Sequence, residues 1–213
     1  MKMKNNRGLV LPELMAIIAF IAIIFGVVAY ISFQKGDKRK FEVFAQNARD
    51  FATKVSTYRD EYSRYDNEVY LEDIVEVNHI KPYVNPFSGG GNCNLYESKI
   101  TIKTNGERYV TFRCGNYLID SQLVSSNNYR VYKVSEWKEK IDNLEEAQSV
   151  KLYNYEKDGE VVLDSYVVLK ELITVYNEKE NANIKKIDDI DLEKYNVITK
   201  TFYRTKKLVG ENL

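Results

Sequence analysis

The residue in the most unusual chemical setting is Glu13. It stands directly before twenty uncharged, mostly apolar residues, Leu14 to Phe33. At about 1.5 Å of helical rise per residue, this run predicts a helix about 30 Å long, the thickness of a bilayer's hydrocarbon core. A carboxylate at the centre of such a helix costs about 2.5–3.5 kcal/mol. We therefore expect Glu13 either to pair with a cation or to lie in the headgroup zone, where it suits the dipole of the helix N-terminus.

The eight residues at the N-terminus are polar and basic, and they end in Gly8. They are too short to contain the apolar core of a secretory signal, and no small-x-small cleavage site follows the apolar run. A basic leader ending in Gly, four mostly apolar residues, Glu and a long apolar run together resemble the class III leader of type IV pilins and pseudopilins. The resemblance implies cleavage between Gly8 and Leu9 by a prepilin peptidase, and N-methylation of Leu9. The family usually has Phe where this chain has Leu9. This departure weakens the inference of N-methylation but not the inference of cleavage.

The same resemblance implies a role for Glu13 in assembly. Cleavage creates an ammonium group on Leu9, and the Glu13 carboxylate of a neighbouring subunit can pair with it in a packed filament. The implied partners are prepilin peptidase, copies of the chain or other pilins, and membrane lipid before assembly. The implied location is a single-pass cell membrane protein with its leader in the cytoplasm and its head outside, and a cell-surface filament after assembly. Basic residues flank both ends of the apolar run, so charge alone leaves the opposite orientation open.

Composition is consistent with one compact domain or two small ones beyond the helix. The 213 residues include 31 basic and 31 acidic ones, and this balance gives no electrostatic footprint for nucleic acid. A second apolar stripe follows the first helix and predicts an amphipathic helix over 34–65, with a sheet-covered face favoured over a coiled-coil seam. The stripe consists of Phe41, Phe44, Ala48, Phe51, Val55, Tyr58 and Tyr62.

A β-hairpin is predicted over 98–113, because two alternating segments flank Asn105-Gly106, a strong two-residue turn signal. Cys93 precedes this hairpin and Cys114 ends it. Two thiols and a single histidine cannot complete a four-ligand zinc site, which argues against a metal. In an oxidising exterior we expect a Cys93–Cys114 disulfide, worth about 3 kcal/mol by chain entropy. The Asn-Pro-Phe, Cys, hairpin and Cys-Gly-Asn-Tyr order is similar to pilin-like proteins of low-GC Gram-positive bacteria.

The polar residues Ser125 to Asn128 mark a predicted boundary. Beyond them, the patterns predict a strand, a charged helix over 137–146, a hairpin turning at Asp158-Gly159, a helix capped by Asp164 or Ser165 and running to about Glu178, and a final strand over 197–204. The acidic residues at 188–191 lack the ligand spacing and the glycine of a calcium loop and are predicted to form a solvated turn.

The sequence gives no support for catalysis. His79 has no nucleophile motif around it, and Gly89 to Gly91 lack the strand and the Lys-Ser or Lys-Thr of a phosphate loop. A paired-carboxylate hydrolase needs no local motif and stays open at this level. We expect no enzymatic activity and no cofactor.

Together these patterns predict an α+β fold: a long N-terminal helix, half membrane-embedded and half amphipathic, packed on an antiparallel β-sheet head with an accessory C-terminal α+β module. The expected function is a type IV pilin-like structural subunit that assembles into a surface filament. The alternatives are a minor pilin or pseudopilin of a type II secretion or DNA-uptake machine, and a non-polymerising, bitopic membrane-anchored binding protein. The expected boundaries are 1–8 for the leader, 9–33 for the transmembrane helix, 34–65 for its amphipathic half, 66–124 for the sheet region and 125–213 for the module.

Overall fold

The computed structural model describes residues 11–57, 67–77, 79–123, 129–142 and 147–211, of which 11–21, 24–35 and 122–123 are described by their backbone alone. The chain divides into two compact units, Met1–Glu42 and Val43–Leu213. The predicted leader, 1–8, lies outside the described residues.

Helix α1 runs over Leu11–Thr57. Among the described residues, no helix is both long and apolar enough to cross a membrane. The predicted transmembrane helix over 9–33 and the single-pass membrane localisation are therefore wrong. From Gly36 onward the described side chains of α1 begin with four charged residues, Asp37 to Lys40, which are exposed and costly to place in hydrocarbon.

The last part of α1, from Val43 to Thr57, belongs to the second unit and forms part of its core. Its buried residues recur every three or four positions, as the apolar stripe predicts. Phe44 and Phe51 are fully buried, with ring centroids 5.6 and 6.0 Å from that of Phe112 in the sheet. The buried set on this segment is Phe44, Ala45, Ala48, Phe51, Ala52 and Val55. The predicted stripe members Tyr58 and Tyr62 lie outside the described residues.

A single antiparallel sheet of eight strands dominates the described part of the second unit, in the order β1-β2-β3-β4-β5-β8-β6-β7. The strands are β1 Glu68–Tyr70, β2 Lys99–Ile102, β3 Arg108–Cys114, β4 Tyr117–Leu123, β5 Arg130–Val134, β6 Ala147–Lys157, β7 Glu160–Val161 and β8 Tyr195–Glu211.

The predicted fold class is wrong, because the sheet continues across the boundary expected after residue 124. Strand β4 pairs with β5, and β8 then pairs with β5 through Lys206–Glu211 and with β6 through Tyr195–Thr205. At 17 residues, β8 is long enough to serve both neighbours. The described residues are therefore dominated by one eight-stranded sheet, on which only the last part of α1 packs, and they form no separate C-terminal module.

Both predicted hairpins are confirmed. The turn between β2 and β3 contains Gly106 at φ +84°, and the turn between β6 and β7 places Asp158 at +53° and Gly159 at +83°. Two successive positive φ values are what a type I′ turn requires, and Asp-Gly satisfies that requirement at low steric cost.

Two shorter helices complete the fold: α2 over Leu71–Glu76 and α3 over Leu169–Glu180. The N-cap of α3 is Val168, three to four residues later than the predicted cap at Asp164 or Ser165. The shift arises because Val167 exchanges two backbone hydrogen bonds with Tyr153, of 2.8 and 2.9 Å, and so remains extended. Leu172 and Tyr176 of α3 form a small core with Tyr155 and Ile190.

The helix predicted over 137–146 is wrong over its described part, 137–142. Lys138 forms an antiparallel bridge with Tyr203, and each residue donates a 2.8 Å hydrogen bond to the other. The backbone at 135–138 thus extends the line of β5 along β8, and we name this segment the β5 extension.

We expect Phe112→Ala to lower the free energy of unfolding by about 3–5 kcal/mol, because it leaves a cavity where the rings of Phe44, Phe51 and Tyr83 meet. Urea unfolding of the full chain measures the change. Thr111→Ala, in the same strand but on the opposite face, is the matched control and should cost about 1 kcal/mol or less. Equal effects of the two substitutions would contradict this account of the core.

Candidate functional site: a buried charge cluster

The residues predicted to act in processing and assembly are only partly within the described structure. Gly8 and Leu9 lie outside it, and Glu13 is described only as a backbone position in α1. Their predicted roles remain predictions. Cys93 and Cys114 are joined by a disulfide, and both are buried.

The disulfide attaches the loop at 92–98 to the end of β3. Next to it, the Asn94 N–H donates a 2.9 Å hydrogen bond to the Arg113 carbonyl. The Asn94 side-chain oxygen in turn accepts hydrogen bonds from the N–H groups of Tyr96 and Glu97, at 3.0 and 2.7 Å. A side-chain turn of this kind fixes the local backbone, so the loop presents Glu97 in a defined position.

Glu97 is the centre of a buried cluster of charged side chains. One carboxylate oxygen pairs with Arg113 of β3, and the other lies 2.6 Å from the Nη1 of Arg204 of β8. Arg113 is 5% exposed and Arg204 is 3% exposed. Two guanidiniums this deeply buried require negative partners, and Glu97 serves both at once.

The β5 extension closes the cluster. Trp137 donates its indole N–H to Glu97 at 3.3 Å, and its ring lies 4.1 Å from the Arg204 guanidinium carbon, which gives a cation–π contact. Glu136, whose side chain is 72% exposed, accepts a 3.1 Å hydrogen bond from Arg113 at the solvent edge of the cluster. The side chains of these two consecutive residues therefore both contact the arginines.

The Nε donors of both arginines find partners on β6 and in the turn after β3. Arg204 Nε donates to the Gln148 side-chain oxygen at 2.9 Å, and Arg113 Nε donates to the Gly115 carbonyl at 3.2 Å. The cluster therefore joins β3, β6, β8, the disulfide loop and the β5 extension. We name Glu97, Arg113, Glu136, Trp137 and Arg204 the charge cluster.

Burial lowers the pKa of the Arg204 guanidinium; the charge of Glu97 opposes this shift and that of Arg113 adds to it. Arginine nevertheless stays protonated in proteins. Because Glu97 already accepts hydrogen bonds from both arginines and from Trp137, its lone pairs are directed at fixed donors, not at a substrate. The geometry is that of a structural clamp.

Sequence reasoning missed the charge cluster. Arg113 lies at the end of an alternating strand, on the polar face that the pattern predicts to be exposed to solvent. Trp137 stands in a highly charged segment that resembles a surface helix. The one signal of burial in the sequence was Trp137, the chain's single tryptophan, which follows Glu136. Exposing so large an aromatic side chain on a solvated helix is unfavourable. Nothing local connects it with an arginine far along the chain.

We expect Glu97→Gln to lower the free energy of unfolding by about 3–5 kcal/mol, because it leaves two buried guanidiniums without their shared counter-charge. Thermal or urea unfolding measures the loss. The matched control is Glu139→Gln, which removes the exposed Glu139–Lys200 ion pair of 2.9 Å and should cost about 1 kcal/mol or less. A loss for Glu97→Gln no larger than that of the control would show that the charge cluster is not a clamp.

A pH-dependent prediction concerns Glu171 of α3. Burial, and after it the negative charge of Glu97, raise the pKa of the Glu171 carboxyl. The folded state therefore holds this proton more tightly than the unfolded state, so folding stability falls as pH rises through and above the usual glutamate pKa. We expect Glu171→Gln to raise stability at pH 7 and to give a gain that disappears below about pH 4.

Denaturant midpoints at several pH values test this, with Glu178→Gln as the control because Glu178 is exposed on the same helix. A gain from Glu171→Gln that persists unchanged at low pH would contradict the electrostatic origin.

Comparison with known proteins adds no relative to this description: no protein-family model, no curated protein and no solved structure matches the chain.

Proposed function

We propose that the chain is a structural filament subunit of the type IV pilin kind, which a prepilin peptidase cuts between Gly8 and Leu9 and which polymerises through its N-terminal helix. The observation that carries the proposal is the spacing of Gly8, which precedes the long helix α1 (Leu11–Thr57), and Glu13, which lies in the first turn of that helix. The first part of that helix and the sheet fall into different compact units. The first part of α1, up to Glu42, is therefore a candidate assembly element.

The described side chains support this role. Ile23 of α1 is 64% exposed, although it stands in the apolar run. An exposed apolar side chain such as Ile23 is stabilised when a copy of the same helix covers it. Head-to-tail contacts of this type do not close on themselves, and they generate fibres.

Glu13 is proposed to fix the register of this packing. Once the leader is removed, the Leu9 ammonium of one subunit and the Glu13 carboxylate of the next neutralise each other in an apolar surrounding. A displaced register would leave both charges buried and unpaired, so the pair selects one axial stagger. The sheet unit, stabilised by the disulfide and the charge cluster, would then be carried as a rigid head.

The test is to express the full chain in cells that contain a prepilin peptidase and to measure the intact mass and the sedimentable filaments. We expect a mass that begins at Leu9, with or without one methyl group, and filaments visible by electron microscopy. Glu13→Ala should still be cleaved but should lose filaments, because the Leu9 ammonium then has no partner.

Glu42→Ala is the matched control, since Glu42 is an exposed carboxylate on the same helix. It should be cleaved and should form filaments like the parent chain. A chain that retains its first eight residues, or a Glu13→Ala variant that assembles as well as Glu42→Ala, would overturn the proposal.

A further inference from the structure

Lys170 of α3 contacts two carboxyl groups of α2. Its ammonium nitrogen lies 2.7 Å from Oδ1 of Asp73 and 3.2 Å from Oε2 of Glu72. The other lysine ion pairs within the described residues each involve one carboxylate. The side chains of Lys170 and Asp73 are 25% and 22% exposed, so their contact is largely shielded from water.

Glu72 is the most deeply buried member of this group, at 7% exposed. Thr174 of α3 donates a 3.3 Å hydrogen bond to its Oε1. Its Oε2, the oxygen near Lys170, is buried and forms no hydrogen bond with any described residue. Burial raises the pKa of the Glu72 carboxyl, although the charge of Lys170 opposes this shift. The unused oxygen is therefore placed to accept a proton from the lysine nitrogen.

The backbone fixes the carboxyl group of Asp73. Its Oδ2 accepts a 2.9 Å hydrogen bond from the Tyr70 N–H, while Oδ1 faces Lys170. A fixed N–H donor stabilises the negative charge that develops on a carboxyl oxygen when a nucleophile attacks the adjoining carbon. The two oxygens of Asp73 are therefore not equivalent: one is held by the backbone and the other lies against the lysine.

We propose that Lys170 and Asp73 condense to form an intramolecular isopeptide bond, with Glu72 as the catalytic residue that transfers the proton. A proton first passes from the Lys170 ammonium to Oδ1 of Asp73, which leaves a neutral amine and a neutral acid. The amine nitrogen then attacks Cγ of Asp73, a C–N bond forms, and negative charge collects on Oδ2 beside the Tyr70 N–H.

Glu72 completes the reaction. Its carboxylate takes a proton from the attacking nitrogen and passes it to the hydroxyl at Oδ1 of Asp73. The C–O bond to that hydroxyl breaks, water leaves, and the carbonyl reforms at Oδ2. An ammonium and a carboxylate have become an amide and one water molecule, so atoms and charge balance and no oxidant or other reactant is required.

The folded chain favours this reaction in two ways. Helices α2 and α3 hold the nitrogen and the carboxyl group in contact, which replaces a bimolecular encounter. The reaction also converts a partly desolvated ion pair into a neutral amide. Burial lowers the pKa of Lys170, but Asp73 and Glu72 together raise it above its ordinary value. The ion pair is therefore the starting state, and bond formation follows folding.

The bond goes beyond the proposed function and does not depend on it. Helix α2 follows β1 at one end of the strand order, and α3 packs on Tyr155 of β6 near the other end. The isopeptide bond is therefore a second covalent link within the sheet unit, in addition to the Cys93–Cys114 disulfide. Unlike the disulfide, it resists reductant.

The test is the intact mass of the purified full chain after reduction. We expect a mass lower by one water than the sequence requires, and a tryptic product in which the peptide with Lys170 stays joined to the peptide with Asp73. Lys170→Arg and Asp73→Ala should each have the full mass. Lys206→Arg is the matched control, because Lys206 forms another partly shielded ion pair, with Asp120, and it should leave the loss of water unchanged.

Glu72→Gln tests the proton transfer. Glutamine has nearly the same shape but cannot carry the proton, so the folded variant should lose water about a hundredfold more slowly than the parent chain. A rate equal to that of the parent would contradict the role of Glu72. A folded parent chain of full mass, a loss of water that persists in Lys170→Arg, or one that maps to other residues would overturn the bond itself. None of these results bears on filament formation through α1.

Discussion

Two buried arginines share one carboxylate in this protein, and much of the sheet depends on that arrangement. Arg113 and Arg204 belong to strands β3 and β8, which are not neighbours in the sheet, and Glu97 contacts both. A buried guanidinium without a counter-charge is strongly destabilising, so the loop that contains Glu97 cannot move independently of either strand. The disulfide between Cys93 and Cys114 limits the same loop covalently. Ionic and covalent constraints therefore act on one segment.

The charge cluster also explains how an unusual sheet is held together. Strand β8 exchanges one partner for another along its length, and at the point of exchange the β5 extension lies beside it. Trp137 and Glu136 contact Glu97 and Arg113 from that extension, while Gln148 contacts Arg204 from β6. The partner exchange and the cluster coincide, so side chains cross-link the sheet where β8 changes its neighbours. A sheet cross-linked in this way suits the filament role proposed above.

Some elements could be predicted because their signals are local. Both hairpins follow from alternating segments and from the local Asn-Gly and Asp-Gly turn signals, and the buried stripe of α1 follows from its spacing. Other predictions failed where a distant partner decided the conformation. Trp137 stands in a segment with helical composition, but Lys138 pairs with Tyr203 and Trp137 packs on Arg204. Helix α3 begins late because Val167 bonds to Tyr153.

The sequence by itself determined the turns, the apolar faces and the only pair of cysteines that could bond. It also contains the Gly8 and Glu13 spacing on which the proposed function rests. Only the tertiary structure decided that one sheet spans both halves of the head and that the candidate site is a clamp. The reason is sequence distance. Glu97 and Arg204 are separated by 107 positions, and a contact of that range leaves no periodicity or motif in either segment. Burial in the folded chain, not local pattern, makes those residues partners.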